Sequence, residues 1–236
     1  MNLKLNKTDF NFNETDFING TSFRSYKMLK RVLDFICASL ALTVGFIPML
    51  LLSLIIIAES KGPAVFRQKR IGLDGKEFTC LKFRSMKVDA PSCATAELDD
   101  PDLYITKIGK LMRKTSLDEL PQLINIIKGD MSFIGPRPLI PEESYIHEKR
   151  LDMGVYNLRP GISGYAQING RDLVSPDEKV FLDTVYLHNF SFFTDVKIFF
   201  ATILSVLKSD GVVDGKVEAS EEKDEEKIPL SRNKHI

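Results

Sequence analysis

The stretch VLDFICASLALTVGFIPMLLLSLIIIA occupies residues 32–58, and Asp34 is its only charged residue. About 20 apolar residues suffice for a helix to cross a bilayer. Pro48 lies within the stretch, where a proline removes a helical hydrogen bond and kinks the helix. The arms on either side of Pro48 are about 24 Å and 16 Å long, so neither alone crosses a hydrocarbon core of about 30 Å.

Basic residues flank this stretch at both ends. They are Lys27, Lys30 and Arg31 before it, and Lys61, Arg67, Lys69 and Arg70 after it. Because Lys and Arg concentrate on the cytoplasmic side of a membrane, two basic flanks favour a helix that breaks at Pro48 and returns to the same face. We therefore predict a re-entrant helix over residues 26–60, with a kinked helix that spans the bilayer as the alternative.

The charges of the whole chain balance, with 32 basic and 32 acidic residues among 236. Much of the acidic excess lies in residues 209–236, which we predict to be a disordered acidic tail. The remainder is mildly basic, which fits an anionic lipid surface or a phosphorylated substrate, and we find no motif for nucleic acid. The 3 cysteines and 3 histidines show no metal-ligand or disulfide spacing, so a reducing compartment is expected.

Two adjacent acidic residues, Asp118 and Glu119, lie in the run RKTSLDELPQ that begins at Arg113. If they project from the positive end of a helix, they stay ionised and can hold a divalent cation or attack a phosphorus atom. Acidic residues in a first helical turn are more often simple dipole partners and caps. That plainer interpretation stays open on the acid pair alone.

The start of this helix is predicted from the same run. Pro121 is tolerated only close to a helix start, and apolar residues at helical spacing follow it. We predict one helix over residues 116–128, with Thr115 or Ser116 as its cap and an acidic residue at capping-box spacing.

Cations from separate segments accompany the acid pair, namely Lys82, Arg84, Arg113 and Arg137. Arg can donate two parallel hydrogen bonds to phosphate oxygens. Carboxylates accompanied by Arg and Lys from separate segments therefore suit a site for phosphate esters. Lys82 and Arg84 are two residues apart on a predicted strand and would share a face. A solvated basic edge is the alternative for these two residues.

Most of the remaining pattern is helical. A hairpin is predicted from strands at 64–70 and 76–84, and helices are predicted at 105–114, 142–153 and 176–189. The proline-rich segment 130–141 and the turn-rich segment 159–164 are predicted to be loops. Residues 192–207 are apolar with few charges, which is typical either of a buried core helix or of a helix lying in the membrane interface.

These motifs, taken in order, resemble the bacterial sugar transferases, the monotopic phosphoglycosyl transferases. The resemblance covers about residues 27–208 and rests on Lys30-Arg31 with Asp34, Gly62-Pro63, and the segments 68–72, 82–86, 116–122, 128–132, 135–138 and 159–171. One position departs from the pattern. Family members often have Ser before the membrane proline, whereas Ile47 precedes Pro48 here.

The resemblance implies an α+β fold that is mainly helical. A re-entrant membrane helix, a β-hairpin and interfacial amphipathic helices would form a compact catalytic domain on the cytosolic face. The implied organisation is a loosely ordered segment 1–25, the membrane helix 26–60, the catalytic domain 61–208 and the tail 209–236. The implied location is the cytoplasmic face of the bacterial inner membrane.

The resemblance also implies an activity. Family members transfer a sugar 1-phosphate from a UDP-sugar to polyprenyl (undecaprenyl) phosphate and release UMP, which starts assembly of a surface polysaccharide such as an exopolysaccharide or an O-antigen. Membrane lipids and downstream glycosyltransferases are the other expected partners. A membrane-anchored nucleotide-sugar hydrolase and a non-catalytic assembly protein are the alternatives.

Site residues follow from the matched motifs. Asp118 matches the family's nucleophilic aspartate, which forms a phosphosugar-aspartate intermediate, and Glu119 matches its acidic partner. Magnesium is the family's metal and would lie at this pair. The predicted phosphate- and nucleotide-binding residues are Lys82, Arg84, Arg113, Pro136, Arg137 and Pro138.

Overall fold

The computed structural model describes residues 20–90, 103–170 and 174–208. The predicted tail 209–236 and most of the predicted segment 1–25 lie outside the described residues. Within the described ranges, the helices are α1 (Thr21–Glu59), α2 (Lys107–Thr115), α3 (Gln122–Lys128), α4 (Ser144–Asp152), α5 (Tyr165–Ile168), α6 (Pro176–His188) and α7 (Phe192–Lys208). The strands are β1 (Val65–Ile71), β2 (Glu77–Phe83), β3 (Ser132–Ile134) and β4 (Gly161–Ser163).

The predominance of helix over strand confirms the prediction of a mainly helical fold with some β-structure. The helices predicted at 105–114, 142–153 and 176–189 are present as α2, α4 and α6. Helix α6 begins with a capping box, in which Ser175 and Glu178 exchange hydrogen bonds and Pro176 occupies the first turn. A local sequence signal therefore suffices for the start of α6.

The predicted hairpin is confirmed. Strands β1 and β2 pair antiparallel, with Phe66 opposite Lys82 and Arg70 opposite Phe78. The connection passes through Asp74 and Gly75, both with positive φ of 57° and 69°. Such a turn matches the twist of the strands and joins them tightly. Opposed residues share a face, so Lys82 and Arg70 lie on the same side of the hairpin.

A second, parallel pair of strands was not predicted. Strands β3 and β4 pair with Ser132 opposite Gly161, inside the two segments that the sequence indicated as loops. Each strand has only 3 residues, too few for an alternating pattern to be visible. The backbones approach so closely that a Cβ on Gly161 would lie 2.1 Å from the Gly135 nitrogen. Only glycine fits at that position.

Helix α1 is continuous over 39 residues and includes Pro48 in its interior. The predicted break at this proline is therefore not confirmed. The helix also begins earlier than expected, inside the segment predicted to be loosely ordered. Phe23 is 5% exposed there and packs on Phe190, with the ring centroids 5.0 Å apart.

The middle of α1 exposes large apolar side chains to the surroundings: Leu40, Val44, Phe46, Ile47, Leu50, Leu51 and Leu54. In the part of the chain that the structure describes, α1 is the one helix long and apolar enough to cross a membrane. Only 6% of its most apolar window is buried. A core helix of a soluble protein would bury most of such a window.

Helix α7 has one buried and one exposed face. Ile198 and Asp195 are buried, whereas Phe193 and Phe200 are 76% and 59% exposed. The buried face agrees with the alternative of a core helix, whereas a position in the membrane interface stays a prediction for the exposed face. The buried face packs into a cluster that includes Tyr186.

A second hydrophobic cluster packs next to the site. It joins Cys80 of β2 to Leu123 and Ile126 of α3, together with Ala38 of α1 and Met131. This packing fixes the hairpin against α3, the helix that follows the acid pair.

Candidate active site

The acid pair lies in a tight turn between two helices. Leu117–Glu119 forms a single 3₁₀ turn, in which the Glu119 nitrogen donates to the Ser116 carbonyl at 3.2 Å. Ser116 has φ of 57° and closes α2 in the left-handed conformation. Helix α3 begins only at Gln122, after Pro121. The prediction of one helix over residues 116–128 is therefore wrong in its first turns, because Ser116 interrupts it.

The predicted cap is also absent. The Ser116 side chain forms no capping hydrogen bond, and the Thr115 hydroxyl donates back to the carbonyls of Leu111 and Met112. The backbone of a left-handed residue ends α2 and turns the chain, so no side-chain cap is needed. Consequently, burial and neighbouring charges rather than a helix end determine the ionisation of the acid pair.

Glu119 is held by two cations. Lys82 Nζ lies 2.8 Å from Glu119 Oε1, and Arg137 Nη1 lies 3.8 Å from the same oxygen. Burial alone raises the pKa of the Glu119 carboxyl, but the charges of Lys82, Arg137 and Arg70 outweigh burial and hold the pKa below its usual value. Glu119 therefore stays ionised and does not serve as a proton donor.

Asp118 has a different environment. Burial raises the pKa of the Asp118 carboxyl, and the neighbouring charge of Glu119 adds to the rise, while Lys82 and Arg113 oppose it. A carboxylate of raised pKa is the more basic of the two and hence the better nucleophile. The two acids are thus separated in pKa, which is typical of a catalytic pair.

Arg113 reaches the site from the last turn of α2. Its Nε donates to the Ser85 hydroxyl at 3.0 Å, just after β2. Its charge lowers the pKa of Asp118, so the guanidinium acts on the nucleophile candidate. The structure thus brings together five predicted residues: Asp118, Glu119, Lys82, Arg113 and Arg137.

The predicted Pro136-Arg137-Pro138 segment follows β3, and its backbone is fixed at successive residues. The carbonyl of Pro136 accepts from the Gly161 nitrogen at 2.9 Å. The carbonyl of Arg137 accepts from Arg150 Nη1 at 2.8 Å, and that of Pro138 from Arg70 Nη1 at 3.1 Å. A backbone with its carbonyls bound in this way holds the Arg137 side chain over the acid pair.

Arg84 is placed differently from the other predicted cations. Strand β2 ends at Phe83, so the two-residue strand spacing does not extend to Arg84. The Arg84 guanidinium donates to the carbonyls of Ser60 and Lys61, and the residue is 7% exposed. These contacts tie the end of α1 to the hairpin, and a role for Arg84 at the phosphate stays a prediction without a supporting contact.

Arg70 is a site residue that the sequence analysis did not assign. It binds Gln68 Oε1 through Nε and Nη2, at 3.1 Å and 2.6 Å. Burial, followed by the charge of Arg137, lowers the pKa of the Arg70 guanidinium. The register of the hairpin could have indicated this residue, because it places Arg70 and Lys82 on one face.

The acid pair suits a divalent cation. Lys82 occupies one oxygen of Glu119, whereas the Asp118 side chain forms no ion pair within the described residues. In the same part of the chain, no group of three or more His, Cys, Asp or Glu side chains could hold a metal ion. Magnesium retains several waters and needs only one or two carboxylates, so Asp118 and Glu119 would suffice.

Most of the chain is similar in sequence to known proteins. The family described as "Bacterial sugar transferase" matches residues 25–209. The UDP-galactose-lipid carrier transferase of Erwinia amylovora is 38% identical over 208 residues, which cover 82% of this chain and 43% of that protein. The uncharacterized sugar transferase EpsL of Bacillus subtilis is 40% identical over 185 residues, covering 78% of this chain and 90% of that protein.

A third relative is named for both substrates of its reaction. The UDP-glucose:undecaprenyl-phosphate glucose-1-phosphate transferase of Caulobacter vibrioides is 39% identical over 191 residues, covering 77% of this chain and 70% of that protein. The chain spans less than half the length of the Erwinia relative. Because the family match extends over most of the chain, the protein belongs to the bacterial sugar transferase family.

Proposed function

We propose that this protein transfers a sugar 1-phosphate from a UDP-sugar to undecaprenyl phosphate and releases UMP. The product, a polyprenyl diphosphate sugar, would start a lipid-linked surface polysaccharide. The names of the relatives support the two substrate classes. The observation on which the proposal rests is the pairing of Glu119 with Lys82 and Arg137 next to an Asp118 of raised pKa.

In the first step, an Asp118 carboxylate oxygen attacks the β-phosphorus of the UDP-sugar. The bond from this phosphorus to the bridging oxygen breaks, and UMP leaves with the electron pair. The sugar phosphate is then joined to Asp118 as an acyl phosphate. Lys82, Arg113 and Arg137 lie where they can neutralise the negative charge of the phosphates during this transfer.

In the second step, a phosphate oxygen of undecaprenyl phosphate attacks the same phosphorus. The bond between phosphorus and the Asp118 oxygen breaks, which regenerates the carboxylate and forms the diphosphate linkage. Since Glu119 is held ionised by Lys82, its part is to position that cation and Arg137 rather than to move a proton. Mg²⁺ held by Asp118 and Glu119 would supply further positive charge for the transferring group.

We also propose that α1 bends at Pro48 without losing its helical continuity, and that it is re-entrant and places the site at the cytoplasmic face of the bacterial inner membrane. At 1.5 Å per residue, its 39 residues extend about 58 Å, roughly twice a hydrocarbon core. Yet Phe23 in its first turn, Arg31 two turns further on and Glu59 at its last residue all contact the same folded unit. Arg31 donates to the Ile126 carbonyl, and Glu59 accepts from the backbone of Lys107 and Ile108 at 2.7 Å and 3.0 Å.

Labelling from the two sides of the membrane tests this topology. Single cysteines replace Met28 and Lys61 in a chain whose own cysteines are removed, and an impermeant maleimide is applied to intact spheroplasts and to inverted vesicles. A re-entrant α1 predicts that both positions label only in inverted vesicles. Labelling of the two positions from opposite sides would establish a spanning helix instead.

The activity is tested by measuring UMP release from UDP-glucose, UDP-galactose and UDP-N-acetylgalactosamine, with and without undecaprenyl phosphate. We expect release to depend on the acceptor and on Asp118, so that Asp118→Asn loses turnover while the exposed control Asp152→Asn keeps it. Sustained release of UMP and free sugar phosphate without acceptor would indicate a hydrolase. No turnover with any donor would favour a non-catalytic assembly protein.

A further inference from the structure

A cleft rich in positive charge lies away from the acid pair. It is shallow and lies open to solvent between the first turns of α1 and the segment that leads to β4, with enclosed space for about one water molecule, so that a ligand would bind at its mouth. Its charged lining side chains are Lys27, Lys30, Arg31 and Arg159, with Asp34 as the one acid.

Three of the four cations are held by contacts of their own. Arg31 donates to the carbonyls of Ile126 and Ile127, at 2.5 Å and 2.8 Å, and Arg159 Nε donates to the Gly129 carbonyl at 2.8 Å. These carbonyls form the carboxy-terminal end of α3, where cations are favourable. Lys30 pairs with Asp195 at 2.5 Å and is neutralised there.

The Lys27 ammonium differs from these three cations, because no close hydrogen bond or ion pair of the described residues holds it. The ring of Phe23 lies 6.0 Å away from this ammonium, and the charge of Asp74 acts on it from further off. It is half-buried and repelled by the charge of Arg159. Burial, followed by the charge of Arg31, lowers the pKa of the Arg159 guanidinium. Asp34 lies deeper in the cleft, where its Oδ1 accepts a hydrogen bond from the Phe133 nitrogen at 3.4 Å.

The cleft therefore holds more positive than negative charge in a partly desolvated place. Lys30 is matched by Asp195, and the other three cations share two acids, Asp34 in the cleft and Asp74, whose charge acts on Lys27 and Arg159. Like charges held close together without a counter-charge are unfavourable, and a bound anion relieves this repulsion. Lys and Arg at such spacing suit the oxygens of a phosphate.

The location of the cleft indicates the kind of phosphate. Met28, Leu29 and Val32 are 74%, 52% and 54% exposed on α1, so the apolar outer surface of the helix begins beside the cleft. A phosphate bound here would have apolar surface next to it for attached acyl chains. Half-buried Lys and Arg side chains at the end of a membrane segment commonly reach the headgroup level.

The cleft is also separate from the site of reaction. Helix α3 has 7 residues, about 10 Å of helix, and the cleft lies at its carboxy-terminal end, whereas Asp118 precedes its amino-terminal end. An acceptor phosphate held in the cleft could not reach the Asp118 carboxylate. A phosphate bound here would remain in place during the reaction.

We propose that this cleft binds the headgroup phosphate of a bilayer phospholipid, with Lys27 and Arg159 as its principal ligands. The lipid would anchor the first turns of α1 to the membrane surface. The inference rests on the proposed membrane location of α1 and is independent of the proposed reaction.

Calorimetric titration of the detergent-solubilised full chain tests this inference. The probes are dihexanoylphosphatidylglycerol below its micelle concentration, inorganic phosphate, and dihexanoylglycerol, which lacks the phosphate. The variants are Lys27→Gln, Lys27→Arg and, as a matched control, Lys69→Gln at an ammonium that is 74% exposed on β1. Asp118→Asn is included to separate lipid binding from turnover.

We expect the phosphatidylglycerol to bind the wild type and the Lys69→Gln control equally. Lys27→Gln should bind about tenfold more weakly, as expected for loss of one charge-assisted contact, and Lys27→Arg should restore the affinity. Asp118→Asn should bind like the wild type even if the proposed reaction is incorrect. Equal affinity in wild type and Lys27→Gln, or binding of inorganic phosphate or dihexanoylglycerol as tight as that of the lipid, would overturn the inference.

Discussion

Arg150 and Asp183 form an ion pair of 2.5 Å in which each side chain is only 2% exposed. The other arm of the same guanidinium donates to the carbonyl of Arg137. A buried pair between α4 and α6 therefore fixes the backbone of the residue that extends toward Glu119. The stability of the fold and the geometry of the candidate site depend on the same arginine.

The first prediction concerns this pair. Asp183→Leu leaves the Arg150 charge buried and unpaired, which should destabilise the protein by about 3–5 kcal/mol. The double variant Arg150→Met/Asp183→Leu should recover much of that loss, because no buried charge remains. Thermal unfolding in detergent measures both. Glu77→Ala, which removes an exposed pair with Lys69, is the control and should cost about 1 kcal/mol or less.

Recovery of stability should not restore activity in the double variant. Without Arg150 the Arg137 carbonyl loses its donor, so KM for the UDP-sugar should rise even where the melting temperature returns. A double variant with wild-type KM would show that Arg137 is positioned by other contacts.

The second prediction concerns the pH dependence of turnover. Asp118 attacks only when ionised, so activity is present above its pKa and is lost as the pH falls through it. Since Lys82 lowers this pKa and Glu119 raises it, the acid limb should shift to higher pH in Lys82→Met and to lower pH in Glu119→Gln. The measurement is kcat/KM for UMP release against pH. Shifts in the same direction in both variants would contradict the assigned charges.

The third prediction concerns the left-handed residue before the acid pair. Ser116 and Asp74 both have φ of 57°, one beside the site and one in the hairpin turn. A β-branched residue is strained in this conformation, so Ser116→Val and Asp74→Val should each lose about 1–2 kcal/mol of stability. Only Ser116→Val should also reduce kcat, because it displaces the turn that holds Asp118. Equal effects of the two variants on kcat would argue against that coupling.

The fourth prediction concerns Arg84. Since its guanidinium binds the carbonyls of Ser60 and Lys61, Arg84→Met should lower stability by roughly 2–3 kcal/mol and leave KM for the UDP-sugar near wild type. The exposed Arg67→Met on β1 is the control and should change neither quantity. A raised KM with unchanged melting temperature would restore Arg84 to the phosphate site.

Sequence patterns predicted those elements whose signals are local. The helix predicted at 176–189 is present as α6, which begins at a capping box of Ser175 and Glu178, and the predicted hairpin turns at Leu73–Gly75. The short parallel strands were missed because their pairing joins residues far apart in the chain, as Ser132 and Gly161 show. No local pattern encodes such a contact.

The residues of the candidate site likewise fall into those that sequence motifs predicted and those whose part depends on tertiary contacts. Residue type and motif order indicated Asp118, Glu119, Lys82, Arg113 and Arg137, and the structure places these together. The sequence did not reveal that Ser116 would break the predicted helix, since a left-handed serine has no signature of its own. The contribution of Arg70 depends on hairpin register, and that of Arg150 on a tertiary ion pair with Asp183.

The proposed acyl phosphate on Asp118 is tested most directly by trapping it. The full chain is mixed with UDP-sugar labelled in its sugar, without acceptor, quenched in acid within milliseconds to seconds, and digested for peptide mapping. We predict label on the peptide that contains Asp118, lost on hydroxylamine treatment, absent from Asp118→Asn and discharged by added undecaprenyl phosphate. Formation of labelled lipid product by wild type at full rate, with no label on the protein at any time, would contradict the account.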